Sequence, residues 1–480
     1  MRLFMLIFKN RTVLRRVLIT IGVVLFTRLI YFSPLPGVDV KAVVDIFQRQ
    51  IQSQGGRWFD LVSLVHLGKL RNISLFALGI LPYINACIIV QIIGFLVPGI
   101  NREFFYEKNG HHNMLKTTLL FTFVLSAIYA HSISVDLGLL NESADFTILN
   151  FQGIIFRLSA TFTMTAAVAF LLFLAQIINR FGLGNGIGII FASEVLVRLI
   201  FAIDQLILFY MRRLIQLRQL FIFVGIFIIF IYLARFITRY TKKVELYTHE
   251  NKKFSILVRP NWIGVWPLII TEVIFSFFKI QLGWSMFLLV PLVILVFTLC
   301  YVKIVYQPRR FYEFILKYKC GAKSDKKRRI EDILNHAVLK CVGFACMLFL
   351  VMYYLPLLLP LATGISFISA GIFGTFGIII LVGVYYDMMQ QLEFFEKTEQ
   401  SAASNWRLFN IAYDEPEAEI KKACLASHGI MAEIKPYHFN WGLPIKTAVS
   451  NYQIFVPAQK LKEANQVFEE LKVVWQGREI

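Results

Sequence analysis

Ionisable residues stand at a few places inside the long apolar runs of this sequence, at Arg28, Arg157, Glu194, Arg198, Glu272 and Asp387. A charge in hydrocarbon costs on the order of 3 kcal/mol, so each of them should face protein or water, and for most a structural role is expected. Glu194 and Arg198 are four apart, a spacing that can pair them on one helix face. Other candidates for chemistry fall on context. The run Gly182-Leu183-Gly184-Asn185-Gly186-Ile187-Gly188 has the glycine content of a phosphate-binding loop, but no strand precedes it and no Lys-Ser/Thr pair follows. His111-His112, read as part of a loop, has no third ligand near it, and the cysteines at 87, 300, 320, 341, 346 and 424 form no C-x-x-C pair. No Ser/His/Asp or Cys/His constellation stands out. We expect no metal, no cofactor and no enzyme.

What the apolar runs carry instead is a repeated interruption. Gly79-Ile80-Leu81-Pro82-Tyr83-Ile84 and Gly264-Val265-Trp266-Pro267-Leu268-Ile269 both read G-x-x-P-x-I inside a hydrophobic helix. Gly79, Pro82, Gly264 and Pro267 would break the two helices, and paired breaks at matching positions point to two repeated halves with the working site between them. A carrier of ions or small solutes would place charged or coordinating groups at such breaks. Here they present Ile80, Ile84 and Ile269. A ring of branched aliphatic side chains resists wetting while adapting to whatever is threaded through it, which favours a channel for something large and chemically varied.

The elements that must position these residues follow from composition. Of 480 residues 57% are hydrophobic and only 16% charged, too apolar for an ordinary soluble globule. Runs of ~20 apolar residues, enough to cross a bilayer, lie near Val17–Ser33, Ile73–Val97, Met114–Val135, Gly153–Ile178, Gly186–Tyr210, Gln219–Thr238, Asn261–Phe278, Trp284–Tyr306, Ala337–Pro360 and Ile365–Tyr386. The fold class expected is therefore an all-α polytopic membrane protein of ten spans in two five-helix halves. The first span has basic residues before it but no small-residue cleavage site after it, so it reads as a retained helix.

The net charge is +19, and with the N-terminus inside two strongly basic loops face the cytoplasm. One holds Lys242, Lys243, Lys252, Lys253 and Arg259; the other holds Arg309, Arg310, Lys317, Lys319, Lys323, Lys326, Lys327, Arg328 and Arg329. Arg212, Arg213 and Arg218, in an outer loop by this topology, break the rule. Trp58–Asn72 is apolar at intervals but too short and too polar to cross; it reads as a short helix folded into an outer funnel or as an interfacial helix. After 1–393 comes a charged linker, 394–405, and then a soluble domain, 406–480. There a strand Arg407–Ala412, a helix from Pro416 ended by Gly429, an apolar segment Ile430–Pro436, a strand Tyr452–Val456 and a helix Lys460–Val473 suggest a small ferredoxin-like α/β domain on the cytoplasmic side.

Several motifs, in order, are similar to those of the bacterial SecY family. They are Arg28 with Pro34-Leu35-Pro36-Gly37-Val38-Asp39, Phe76–Ile84 continuing to Ile88–Gln91, Gly184-Asn185-Gly186-Ile187 with Phe191-Ala192, and Pro308-Arg309. The resemblance spans most of 13–393 and implies an hourglass pore in the bacterial cytoplasmic membrane, with both termini cytoplasmic. It places the pore ring at Ile80, Ile84, Ile269 and Ile380, with a fifth position at Phe191 or, with a shift, Ile190. The plug would fall on 59–71, including Phe59, Leu61, Val62, Leu64, Val65 and Leu67. A lateral gate would run between spans two and three and spans seven and eight. The basic loops would dock the SecA ATPase or the ribosome, and SecE-type and SecG-type subunits would join the channel.

The function implied is passage of unfolded secretory polypeptides across the membrane and of membrane segments sideways into lipid. Two departures point to an alternative, an accessory paralogue with restricted cargo. Gly321–Arg329 replaces the family's Arg-Pro-Gly turn, and the tail, whose partner is unknown, is additional. A secondary transporter of a small solute is the remaining rival, and it lacks its expected charged cluster.

Overall fold

The computed structural model describes, in the main, residues 11–39, 74–97, 110–143, 149–211, 215–239, 242–247, 253–258, 286–305, 342–355, 377–400, 406–412, 415–437 and 451–476. Its helices are α1 Arg11–Ile30, α2 Leu81–Leu96, α3 Gly110–Ser143, α4 Ile154–Phe181, α5 Gly186–Met211, α6 Leu217–Arg239, α7 Met286–Val305, α8 Val342–Leu355 and α9 Gly377–Gln400, followed by α10 Glu415–Ser427 and α11 Leu461–Gln476. The strands are β1 Lys242–Tyr247, β2 Lys253–Val258, β3 Trp406–Ala412, β4 Glu433–Tyr437 and β5 Asn451–Pro457. Two compact units emerge, Arg15–Phe227 with Leu355–Gly377, and Met1–Leu14 with Ile228–Tyr354 and Ile378–Ile480.

In the first unit polarity is arranged as lipid demands. Apolar side chains such as Leu25, Leu29, Leu120, Ile155, Phe162 and Ile200 are exposed, whereas Thr20, Thr27, Thr118, Thr122, Ser126 and Ser134 are buried. The buried hydroxyls are satisfied within their own helices: Thr118 donates to Met114 O (2.8 Å), Thr122 to Thr118 O (2.7 Å) and Ser134 to His131 O (2.6 Å). On α4 the buried positions Ala160, Met164, Ala167, Leu171, Ala175 and Ile178 recur every three or four residues. Small residues along such a stripe let neighbouring helices approach closely, and α4 packs between α3 and α5. Three helices, within α3, α4 and α6, are long and apolar enough to cross a membrane among the described residues.

Several boundaries differ from the sequence-based reading. At about 1.5 Å per residue, the 34-residue α3 runs roughly 50 Å and takes in His111 and His112, which therefore begin a helix and do not lie in a loop. The second helix does not contain its Gly-Pro interruption; it starts there. Residues 75–80 form turns, Gly79 has φ +55°, and Pro82 sits in the first turn, where a missing N–H costs nothing. The helix α9 runs through Gln400, into the stretch expected to be a linker, because MMQQLEFFEKTEQ has no Gly or Pro and is rich in good helix formers. The basic segment after α6 forms an antiparallel hairpin, with Lys242 opposite Val258 and Tyr247 opposite Lys253.

The C-terminal segment holds β3, α10, β4, β5 and α11 in that order. The three strands lie in the order β3-β5-β4, with β5 antiparallel to both neighbours. An extra residue in β3 between Leu408 and Asn410 aims Phe409 at Phe468 of α11, ring centroids 4.8 Å apart. Gly429, at φ +73°, ends α10, and the N–H of Ile430 returns to Leu425 O at 2.9 Å.

Candidate channel-lining site

The residues expected to form the constriction sit at helix starts. Ile80 is the N-cap of α2 and Ile84 lies one turn in, on the same face; they are 0% and 3% exposed. Ile190 and Phe191 occupy the second turn of α5, at 0% and 4%. Ile380, in the first turn of α9, is 3% exposed. The remaining expected member, Ile269, lies outside the described residues, as do Gly264, Pro267 and the expected plug at 59–71. Of the basic docking residues, Lys242 and Lys243 stand on β1 and Lys253 on β2. Lys252, Arg259, Arg309, Arg310, Lys323, Lys326, Lys327, Arg328 and Arg329 also lie outside the described residues.

The first two turns of α5 are buried on every side, from Gly186 to Glu194, and from Val195 the helix turns exposed apolar residues outward. That change fits a segment that begins inside the protein and continues along lipid. Its start is built with care. Asn185 caps it, its Oδ1 accepting from the N–H of Ile187 (3.1 Å) and of Gly188 (3.4 Å), while Asn179 Oδ1 accepts from Gly186 N–H at 2.6 Å. A Cβ on Gly186 would sit 1.9 Å from Ala175 O, and one on Gly182 would sit 2.6 Å from Thr20 Oγ1. Gly184 takes φ +87°. The glycine-rich run is thus a tight turn between two helices. It is tied to α1 by Leu183 N–H donating to Thr20 Oγ1 (2.8 Å) and Arg16 Nη1 donating to Gly182 O (3.0 Å).

The turn ahead of α2 is anchored equally. Leu75 N–H reaches Ser33 O at 3.0 Å, and Ser74 bridges Pro34. Phe76 packs against Tyr31 (5.7 Å between ring centroids) and Phe170 (6.3 Å), joining α1 and α4 through an aromatic row. Asn85 Nδ2 donates to Tyr129 Oη at 3.0 Å, joining α2 to α3.

The in-span charges are placed unequally. Glu194 is buried and accepts a hydrogen bond from Tyr31 Oη, whereas Arg198, its expected helix-face partner, is exposed. Arg28 Nη2 donates to Ser193 Oγ at 2.8 Å. Arg157 is exposed in the first turn of α4, and Asp387 is buried in α9. Glu272 lies outside the described residues. The Tyr31–Glu194 contact spans 163 positions and had no local signal in the sequence. Among the described residues no group of three or more His, Cys, Asp or Glu could hold a metal.

The family model for SecY matches residues 74–389, more than half of the chain. The chain belongs to the SecY family. A similar relative is the protein translocase subunit SecY of Thermotoga maritima, 26% identical over 402 residues, covering 79% of this chain and 91% of that one. Among solved structures, a SecY channel studied for its plug domain aligns with TM-score 0.54 at 14% identity, over 81% of this chain and 94% of that one. The Sec61 chain of a canine ribosome-channel complex from the endoplasmic reticulum aligns at 0.53 with the same identity and coverage. At that identity the likeness establishes the channel fold. This SecY-family chain is accordingly a membrane channel protein.

Proposed function

We propose that the chain is the central pore-forming subunit of a Sec protein translocase, a gated channel that passes unfolded polypeptides across the bacterial cytoplasmic membrane and membrane segments sideways into it. The observation that carries this reading, in a SecY-family chain, is the burial of aliphatic and aromatic residues at the starts of α2, α5 and α9: Ile80, Ile84, Ile190, Phe191 and Ile380. With Ile269 they would form the seal. Ten spans in two halves would surround it, residues 59–71 would plug it, and spans two, three, seven and eight would form the lateral gate. SecE-type and SecG-type subunits would complete the channel, and the SecA ATPase or a ribosome on the basic cytoplasmic segments would supply the driving force. The membrane part ends near 393, with 394–405 leading to the cytoplasmic domain, and both termini are cytoplasmic.

The C-terminal domain favours a second reading, an accessory translocase for restricted cargo. Its sheet, with β5 antiparallel between β3 and β4 among the described residues, supports the ferredoxin-like reading. Such a module would bind a partner of its own.

The deciding experiment is site-specific photo-crosslinking from position 84 to a stalled, radiolabelled secretory chain. Capture there, and none from the lipid-facing Phe162, is the expected result. No adduct from a correctly inserted protein with its motor or ribosome would overturn the channel reading.

A further inference from the structure

A buried carboxylate stands beside the apolar seal. Glu194, 7% exposed, lies three and four residues beyond Phe191 and Ile190, on their face of α5. An ionised group so placed costs several kcal/mol unless it is paired, and the Tyr31 hydroxyl and the Gly79 backbone beside it belong to segments that position the start of α2. Tyr31, just past the end of α1, donates its hydroxyl to Glu194 Oε1. A Cβ on Gly79 would lie 2.7 Å from Oε1 and 3.1 Å from Oε2, so the carboxylate rests on the backbone that leads directly into Ile80. Arg28 lays its guanidinium 4.6 Å from the Tyr31 ring centroid and donates to Ser193 Oγ. Ser193 in turn donates to Ile190 O at 2.6 Å.

We propose that Glu194 is a positioning residue for the seal: through Tyr31 and the bare backbone of Gly79 it locks the start of α2, with Ile80 and Ile84, to the first turns of α5, with Ile190 and Phe191. The inference rests on the reading of those four residues as part of the pore ring. Packing alone does not account for the arrangement. An aliphatic residue at 194 would fill space, but it would leave the Tyr31 hydroxyl without its acceptor, and a Cβ at 79 would push the carboxylate away from the backbone. The lock joins segments far apart in the chain, so a single broken contact frees the pore-lining turns while the helices themselves stay intact.

The test is resting ion conductance of the reconstituted complex in planar bilayers. E194A and G79A are expected to raise the resting open probability about tenfold, the shift produced by losing a hydrogen bond to a charged group. Y31F should do the same. E194Q, whose amide oxygen still accepts from Tyr31, should rescue most of the seal, a pattern that a merely structural defect would not show. Polypeptide translocation should persist in each inserted variant. I84G serves as the independent reference. If I84G leaks while E194A, G79A and Y31F stay at the wild-type level, the lock is wrong and the pore reading stands. If I84G does not leak either, the pore reading fails and the lock with it. Should E194A and G79A fail to insert, Y31F and E194Q carry the same decision, because each changes one atom group with little change in volume. Equal leak from E194Q and E194A would overturn the role of the Tyr31 hydrogen bond.

Discussion

Asn185 supplies at the start of α5 what the backbone lacks there. The first N–H groups of a helix have no carbonyl before them, and here they are buried, so an unmet donor costs its full desolvation. The side-chain oxygen takes two of them. N185A should destabilise the folded channel by on the order of 1 kcal/mol, and N185S should retain most of the stability, since both Asn and Ser cap well. The midpoint of unfolding in detergent checks it; equal midpoints for N185A and the wild type would mean that water meets those donors instead. At this scale the sequence was partly legible. Lack of a strand and of a Lys-Ser/Thr pair ruled the glycine run out of phosphate binding, and the structure shows the turn it makes. The link between Tyr31 and Glu194 was not legible, because periodicity reports only neighbours within a helix and the expected neighbour of Glu194 was Arg198.

At the scale of elements, glycines separate into those that a helix needs and those it merely tolerates. Gly186 faces the carbonyl of Ala175, where an added methyl would meet rigid backbone at 1.9 Å; Gly138 and Gly225 face nothing within 4 Å. G186A should therefore force the α4–α5 turn apart and lower the yield of folded, inserted protein, with a penalty of about 1–3 kcal/mol or more from overpacking. G138A and G225A should be neutral or stabilising by about 0.5–1 kcal/mol, because glycine in a helix interior is less favourable than alanine by that amount. Detergent-solubilised thermal stability of the three variants decides it, and equal behaviour of all three would contradict the packing described. Apolar run lengths located α4, α5, α6 and α7 to within about three residues, but α9 begins and ends more than ten residues later than expected. They misplaced the start of α2, since Gly79 and Pro82 read equally well as an interruption or as a beginning, and only the positive φ at Gly79 distinguishes the two. The hairpin of β1 and β2 was missed for a different reason. Its alternation of Val244 with Leu246 and of Phe254, Ile256 and Val258 has the period of two that marks strands, but its lysines drew the reading towards docking.

At the scale of the whole molecule, that hairpin does more than present charge. Helix α10 packs on the sheet of β3, β4 and β5 through buried Ala418, Lys421, Cys424 and Leu425, and Lys421 is satisfied there by Asn410 Oδ1 (3.0 Å) and Ile411 O (3.2 Å). The same helix also packs beside β2. Its opening sequence, EPEAEI, is acidic and follows Asp414, whereas β2 opens with Lys253 after Lys252. Opposite charges on adjoining elements attract, and salt screens that attraction over ~8–10 Å. A zero-length carbodiimide cross-link should therefore join a lysine of 242–253 to Glu415, Glu417 or Glu419 in the full-length protein in membranes, and its yield should fall as salt rises. Glutamine at the three glutamate positions should abolish it. If the linkage forms, the C-terminal domain sits on one of the two segments expected to receive the motor or ribosome, and the triple glutamine variant should bind that partner more tightly than the wild type does. If no such peptide appears while cross-links within the domain do, α10 does not rest on the hairpin in the membrane, and the domain acts away from the docking segment.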